Sequence, residues 1–254
     1  MKLNYSIQGS GQSVLLMHGM FGSLSNLGLI GRALSKNHTV ISVDLRNHGE
    51  SPHSQEMDYS CMANDIIELM DNLNLGMATL IGHSMGGKVG MQVALNHPKR
   101  VHKLIVADIA PVEYKPERHG GVLEGLTALA ETRPTSRKNA DQLLATYVHE
   151  ASVRAFLLKN LIRGKDGKFD LRLYLDGIVA NYDNALTLAP TGSPFLGPTL
   201  FIKGADSAYI QDKHRSEILR LFPNVQLKII ANTGHWLHAE KPETFNKIVG
   251  NFLR

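Results

Sequence analysis

A glycine-flanked serine between a predicted strand and a predicted helix constrains this chain more than any other feature. Gly82-His83-Ser84-Met85-Gly86 follows the apolar run 78–81 and precedes the helical run 87–96. Only small residues fit beside so tight a strand–turn–helix bend, and the bend exposes the serine hydroxyl at the top of a sheet. The amides after it lie at a helix N-terminus and face whatever Ser84 attacks. The pattern therefore predicts a nucleophilic serine at the end of a buried strand.

Apolar runs alternate with helical runs along most of the chain. The predicted strands are residues 14–17, 39–43, 78–81, 103–107, 198–203 and 225–230, and the predicted helices are 26–35, 58–73, 87–96, 212–221 and 242–253. Continuous apolar strands separated by helices are typical of a parallel sheet covered on both faces. We therefore predict the α/β class, with a mostly parallel sheet and helices on both of its faces.

The alternation stops between residues 112 and 197, where no strong strand is visible. Helical patterns cover 121–131, 138–149 and 152–162, and Gly164-Lys165-Asp166-Gly167 predicts a turn. We expect a core of residues 1–111 and 198–254, with a helical cap inserted at 112–197. Ligands bind at the carboxyl ends of parallel strands. Because the insertion enters at that edge, we expect it to roof the site of Ser84.

A serine nucleophile needs a general base, and the base needs an acid to orient it. His235 follows the last predicted strand, which fits the chain order serine, acid, histidine. Asp108 ends the strand after the nucleophile helix. Asp206 follows the strand 198–203 but lies one residue before the common position of the acid, which Ser207 occupies. We favour Asp108 as the acid, with Asp206 as the alternative and Ser207 as an auxiliary hydrogen-bonding residue.

The first core strand leads into a predicted oxyanion loop. His18-Gly19-Met20-Phe21-Gly22 matches the H-G-x pattern of such loops. We expect the backbone amides of Met20 and Met85 to bind the oxyanion. Phe21 is the alternative to Met20, since the sequence alone leaves open which amide points inward. The loop 44–51, which follows the next strand, is predicted to be structural.

Composition argues against several other function classes. The formal net charge is +4 and no long basic run is present, which argues against nucleic-acid binding. No segment has the length and apolarity of a signal peptide or a membrane span. The single cysteine, Cys61, permits no intrachain disulfide and fits a reducing, cytoplasmic location. No ligand spacing predicts a metal, and we expect no cofactor and no obligate protein partner.

Taken together, these motifs resemble the α/β-hydrolase superfamily over nearly the whole chain. Segments 82–88, 108–114 and 235–242, with the region around Ser207 and Tyr209, resemble the YbfF-like bacterial serine esterases. The resemblance implies an esterase or thioesterase with a three-helix cap and supports Asp108 as the acid. It also implies that Arg118 and Tyr209 line the crevice between cap and core and anchor the substrate. The chain departs from this pattern at Asp206, where a neutral amide is expected.

The predicted function is that of a cofactor-free serine hydrolase. We expect Ser84 to form an acyl-enzyme with a small-molecule carboxylic ester or acyl thioester, which water then hydrolyses. The alternative is a cofactor-free lyase on the same fold, in which the catalytic triad abstracts a proton from the substrate. The sequence leaves open the acyl-chain length and the preference between esters and thioesters.

Overall fold

The computed structural model describes residues 1–115 and 120–254, and a seven-stranded sheet lies at the centre of that part of the chain. Its spatial order is β1-β3-β2-β4-β5-β8-β9. All neighbouring pairs are parallel except β1 and β3, which are antiparallel. The strands of this sheet are β1 (Tyr5–Gln8), β2 (Gln12–Met17), β3 (His38–Val43), β4 (Ala78–His83), β5 (Val101–Ala107), β8 (Thr199–Gly204) and β9 (Val225–Ile230).

Helices cover both faces of the sheet, as the sequence predicts. The helices are α1 (Gly28–Leu34), α2 (Tyr59–Asn72), α3 (Met85–Asn96), α4 (Gly120–Thr132), α5 (Arg137–Leu144), α6 (Ala151–Leu157), α7 (Leu175–Asn181), α8 (Arg215–Leu221), α9 (Leu237–Glu240) and α10 (Pro242–Leu253). Alternate residues of a strand point to opposite faces. Val14 and Leu16 accordingly join an apolar cluster with α1 and α10, whereas Leu15 and Met17 join one with α2 and α3. The α/β class is confirmed.

The chain leaves this sheet between β5 and β8. Helices α4 to α7 lie in this segment, but so does a short antiparallel hairpin of β6 (Leu161–Arg163) and β7 (Phe169–Leu171). The sequence shows no strong strand in this segment, and the hairpin was not predicted. The predicted helices 138–149 and 152–162 end early, at Leu144 and Leu157. Strands of three residues are too short to show a periodic pattern. The predicted turn at 164–167 joins the two strands of the hairpin.

The parallel strands bring distant parts of the sequence to one edge of the sheet. Strands β2, β4, β5 and β8 all end there, because parallel neighbours share one direction. His18, Ser84 and Asp108 each come directly after one of these strands. His235 lies in the loop between β9 and α9. The candidate site is therefore assembled from the loops at this edge.

Candidate active site

Ser84 occupies a strained turn between β4 and α3. Its backbone angles are φ 52° and ψ −119°, a conformation that costs a non-glycine residue of order 1–3 kcal/mol. The neighbouring glycines permit this turn by close backbone contact. A Cβ atom on Gly82 would lie 2.1 Å from the Gly86 carbonyl oxygen, and one on Gly86 would lie 2.3 Å from that of Met17. Larger residues at either position would displace the serine.

His235 makes a hydrogen-bond contact with the aspartate that directly follows β5. Its Nδ1 lies 2.8 Å from Oδ2 of Asp108, whose side chain is fully buried. Two further groups donate to that carboxylate: the Gly204 amide to Oδ1 at 3.0 Å, and the Ser207 hydroxyl to Oδ2. A buried carboxylate is costly unless it is hydrogen-bonded. These contacts hold Asp108 in a fixed position against the imidazole.

Asp206, the alternative acid, points elsewhere. Its side chain is exposed, and its backbone amide donates to the Thr233 carbonyl at 2.9 Å. The carboxylate that contacts His235 Nδ1 is that of Asp108. The next residue, Ser207, is buried and contacts the Asp108 carboxylate. The two adjacent residues thus point in different directions: the Ser207 side chain lies in the site and the Asp206 side chain lies in solvent.

The two candidate amides of the oxyanion loop have different surroundings. The Phe21 amide donates to Nε2 of His48 at 3.0 Å, so this N–H already has a partner. His48 in turn donates from Nδ1 to the Arg46 carbonyl, and burial lowers its pKa to about 3, which keeps the ring neutral. Met20 and Met85 both line a cavity that Ser84 also lines. This arrangement favours Met20 over Phe21 as the donor.

The loop 44–51 is hydrogen-bonded to the oxyanion loop, in agreement with the structural role predicted for it: the Leu45 amide donates to Nε2 of His18 at 3.0 Å, and His48 accepts from the Phe21 amide. The Asp44 carboxylate accepts the amides of Leu24 and Glu50 at 2.6 and 2.9 Å. Arg46 makes two hydrogen bonds to the buried Asp65, at 2.6 and 2.9 Å. Paired contacts of this kind fix the geometry of a guanidinium.

His83 is a structural residue that sequence reasoning missed. Its Nε2 donates to the backbone carbonyl of His235 at 2.8 Å, and its ring lies 4.6 Å from the His235 ring and 4.4 Å from the His238 ring. Burial lowers the pKa of His83 well below its ordinary value, so the ring is neutral. The residue thereby ties the His235 loop to the strand that carries Ser84. The one feature of the sequence that could have indicated this role is the position of His83 directly before Ser84.

A cavity of about 480 Å³ opens at Ser84 and His235. The segment between β5 and β8 contributes much of its described lining, including Val122, Tyr147, Val148, Val153, Phe156 and Leu157. Tyr209, which was predicted to contact substrate, also lines it and stacks on His235 with ring centres 4.0 Å apart. Trp236 also lines the cavity, with its ring centre 5.7 Å from that of His235. Arg118, the other predicted substrate residue, lies outside the described residues.

Comparison with known proteins identifies the family. A family described as the alpha/beta hydrolase fold matches residues 12–242, most of the chain. The chain belongs to the α/β-hydrolase family. The hydrolase is 35% identical to the esterase YbfF of Escherichia coli, over the whole of this chain and 99% of that protein. It is also 41% identical to the mouse sn-1-specific diacylglycerol lipase ABHD11, over 95% of this chain and 80% of the relative.

A solved structure supports the same assignment. A marine microorganism esterase superposes on this hydrolase with a TM-score of 0.96, at 37% identity and 99% coverage of both chains. The predicted resemblance to YbfF-like esterases is confirmed. So is the prediction of a carboxylic ester hydrolase, since YbfF and the marine protein are named esterases and ABHD11 a lipase.

The described part of the chain was also compared with what a metal site and a membrane span require. Within residues 1–115 and 120–254 of the hydrolase, no group of three or more His, Cys, Asp or Glu side chains could hold a metal ion. In the same part of the chain, no helix has both the length and the apolar composition needed to cross a bilayer.

Lys88 is a buried lysine one helical turn after Ser84. Its Nζ donates to the carbonyls of Thr187 and Leu188, at 3.1 and 2.5 Å, and lies 5.2 Å from the ring centre of Tyr59 and 4.9 Å from that of Tyr114. Burial lowers the pKa of Lys88 to about 7, and nearby Glu113 opposes this only in part. The lysine ties the nucleophile helix to the chain that returns toward β8.

We expect the free energy of unfolding to rise by about 2 kcal/mol between pH 7 and pH 9 because of Lys88. The unfolded chain keeps the ordinary lysine pKa of 10.5, so in this range it holds a proton that the folded hydrolase has lost. The contribution is complete above pH 10.5 and disappears as the pH falls through about 7. Urea unfolding at pH 7, 8 and 9 should show the rise in the wild type and not in Lys88→Met.

Lys103→Met is the matched control for this measurement. Lys103 also donates to two backbone carbonyls, those of Phe252 and Leu253, but it is only half-buried. We expect this variant to keep the wild-type dependence on pH. If Lys88→Met kept it as well, the titration would belong to another group.

Proposed function

We propose that this protein is a serine esterase that hydrolyses small-molecule carboxylic esters or acyl thioesters through an acyl-enzyme on Ser84. The observation that carries the proposal is the 2.8 Å contact between His235 Nδ1 and Asp108 Oδ2, with Ser84 and His235 facing one cavity. A base held in one orientation beside an exposed serine is what acyl transfer requires. The relatives named as esterases and a lipase support the same chemistry.

In the proposed reaction, His235 Nε2 removes the proton of Ser84 as Oγ attacks the carbonyl carbon. The C–O or C–S bond to the leaving group then breaks, and the leaving atom takes the proton from Nε2. In the second half of the reaction, Nε2 removes a proton from water as its oxygen attacks the acyl carbon; the bond to Ser84 Oγ then breaks, Oγ takes the proton from Nε2, and the acid is released. Asp108 holds the ring with Nδ1–H directed at its carboxylate and stabilises the imidazolium.

The proposed oxyanion hole consists of the amides of Met20 and Met85. Met85 is the first residue of α3, where a backbone N–H has no partner within the helix. The amide of Phe21 is already bonded to His48, which supports Met20 as the second donor. A donor of this kind typically contributes ~3 kcal/mol to the stabilisation of the transition state.

Residues 112–197 are proposed to act as the cap over this site. Side chains from α4, α6 and the loop between α5 and α6 line the cavity at Ser84, and Tyr209 from the core lies opposite them. The apolar lining suits an ester with a hydrophobic group. Cytoplasmic location remains a prediction.

The proposed function is tested with p-nitrophenyl esters from acetate to palmitate beside acyl-coenzyme A thioesters. We expect a burst of p-nitrophenol equal to the enzyme concentration when deacylation is slow, and labelling of Ser84 by a fluorophosphonate. Mass spectrometry of the peptide that contains Ser84 locates the acyl group. A burst with acyl labelling of Ser84 would exclude the lyase, and absence of both ester hydrolysis and labelling would overturn the proposal.

A further inference from the structure

Two cavities of very different size meet at Ser84. The larger, of about 480 Å³, lies under α4 and α6, and the smaller, of about 40 Å³, lies between α3 and the chain near Leu186. Met20, Ser84 and Tyr209 line both of them. A substrate bound to the serine can therefore extend in two directions.

His235 distinguishes the two directions. Among the described residues it lines the larger cavity and not the smaller, whereas Met85 lines the smaller and not the larger. In the tetrahedral intermediate, carbon carries the serine oxygen, the oxyanion, the leaving atom and the acyl chain. The leaving atom takes its proton from His235 and must lie on the side of that ring. The acyl chain is then directed away from His235, past the proposed oxyanion hole.

We propose that the smaller cavity holds the acyl chain and the larger cavity holds the leaving group, so that the enzyme selects esters of short acids with bulky apolar alcohols. This assignment rests on the proposed function and adds to it the class of substrate. The proposed step is the one already described: the bond from Ser84 Oγ to the acyl carbon forms while the bond to the leaving atom breaks.

The size of the smaller cavity limits the acyl chain. Its volume is about one twelfth of that of the larger cavity, 40 against 480 Å³. We therefore expect it to hold only short acyl chains, of about two to four carbons. Tyr59, Tyr182 and Leu186, which line it, are all buried and 4–6% exposed. Close-packed side chains of this kind yield little to a longer chain.

The larger cavity has the opposite character. Its described lining includes the apolar side chains of Val122, Val153, Phe156, Leu157 and Trp236. A volume of about 480 Å³ is within the range of sites that bury a whole drug-sized ligand. It therefore has room for a leaving group with a long or branched hydrocarbon part.

Two ester series test this assignment through kcat/KM. One series keeps a naphthyl leaving group and lengthens the acid from acetate through butyrate and hexanoate to octanoate. The other keeps acetate and lengthens the alcohol from ethyl to octyl. We expect kcat/KM to fall by at least about tenfold from butyrate to hexanoate and to stay level or rise along the alcohol series.

A pair of variants separates the two cavities. Leu186→Ala removes three carbons from the smaller one, so we expect it to raise the hexanoate-to-acetate ratio of kcat/KM by about tenfold or more. Val153→Ala enlarges only the larger one, and we expect it to leave that ratio within about twofold of the wild type while changing the alcohol profile. Circular dichroism checks that both variants fold. The wild-type profile decides the assignment by itself if Leu186→Ala does not fold.

The outcomes also separate this inference from the proposed function. Acyl profiles that are flat or that rise toward octanoate, with Ser84 labelled by the fluorophosphonate, would overturn the assignment of the cavities and leave the esterase intact. A Leu186→Ala variant that changes the alcohol profile instead of the acyl profile would do the same. Failure of both labelling and hydrolysis would remove the proposed function itself.

Discussion

Replacement of Ser84 by alanine is expected to lower kcat for p-nitrophenyl acetate by roughly 10⁵- to 10⁶-fold. The alanine side chain has no oxygen to form the acyl-enzyme, and the remaining rate comes from the oxyanion hole and substrate binding alone. Steady-state kinetics and loss of fluorophosphonate labelling measure the effect. A variant that keeps more than about one hundredth of the wild-type kcat would place the nucleophile elsewhere.

The variant Ser84→Gly tests whether the backbone at this position is strained. Glycine adopts a positive φ angle such as the 52° of Ser84 without a Cβ penalty. We therefore expect Ser84→Gly to be as inactive as Ser84→Ala but more stable to urea by about 1 kcal/mol. Ser216→Ala, an exposed position on α8, is the control and should change neither activity nor stability. Equal stability of the glycine and alanine variants would argue against strain at the nucleophile.

Replacement of Asp108 by asparagine is expected to lower kcat by roughly 10³- to 10⁴-fold. Both carboxylate oxygens accept hydrogen bonds, Oδ1 from the Gly204 amide and Oδ2 from the Ser207 hydroxyl, while Oδ2 also faces His235. An amide N–H placed at Oδ2 would force His235 into the tautomer that cannot accept the serine proton. The opposite orientation would set an N–H against the buried Gly204 amide. Steady-state kinetics against the ester panel measure the loss.

Asp206→Asn is the matched control for this experiment. The substitution is the same, but the side chain of Asp206 is exposed, whereas that of Asp108 is buried and contacts His235. We expect its kcat to stay within about threefold of the wild type. If Asp206→Asn lost several hundredfold while Asp108→Asn kept near-normal turnover, the proposed acid would be wrong.

The central part of the fold could be predicted well from sequence, because the inner strands of the sheet are rich in apolar residues. The apolar run 78–81 lies within β4, Ala78–His83, where every residue is buried, and 103–107 lies within β5, Val101–Ala107. The hairpin of β6 and β7 could not be found in the same way. Its pairing joins residues across a turn, and each strand has only three residues, too few for a periodic signal.

In the candidate site, too, residues in local motifs could be predicted and residues that depend on distant contacts could not. Ser84 and His235 stand in motifs that local sequence reveals, because a glycine-flanked turn and the loop after the last strand are both short-range features. Lys88 gave no such signal. Its burial depends on the carbonyls of Thr187 and Leu188, about a hundred residues away in the chain. Arg118, which was predicted from the resemblance, lies outside the described residues.

By itself the sequence determined the α/β-hydrolase family, the serine at the turn and the two aspartates able to face the histidine. The tertiary structure alone decided which aspartate does so: Asp108 is buried against His235 and Asp206 is in solvent. It also decided that the Phe21 amide is occupied by His48 and that two unequal cavities meet at Ser84. Strands and turns can be predicted from short stretches of sequence, because they depend on local backbone sterics. The direction of a side chain and the volume of a cavity depend on atoms that only the folded chain brings together.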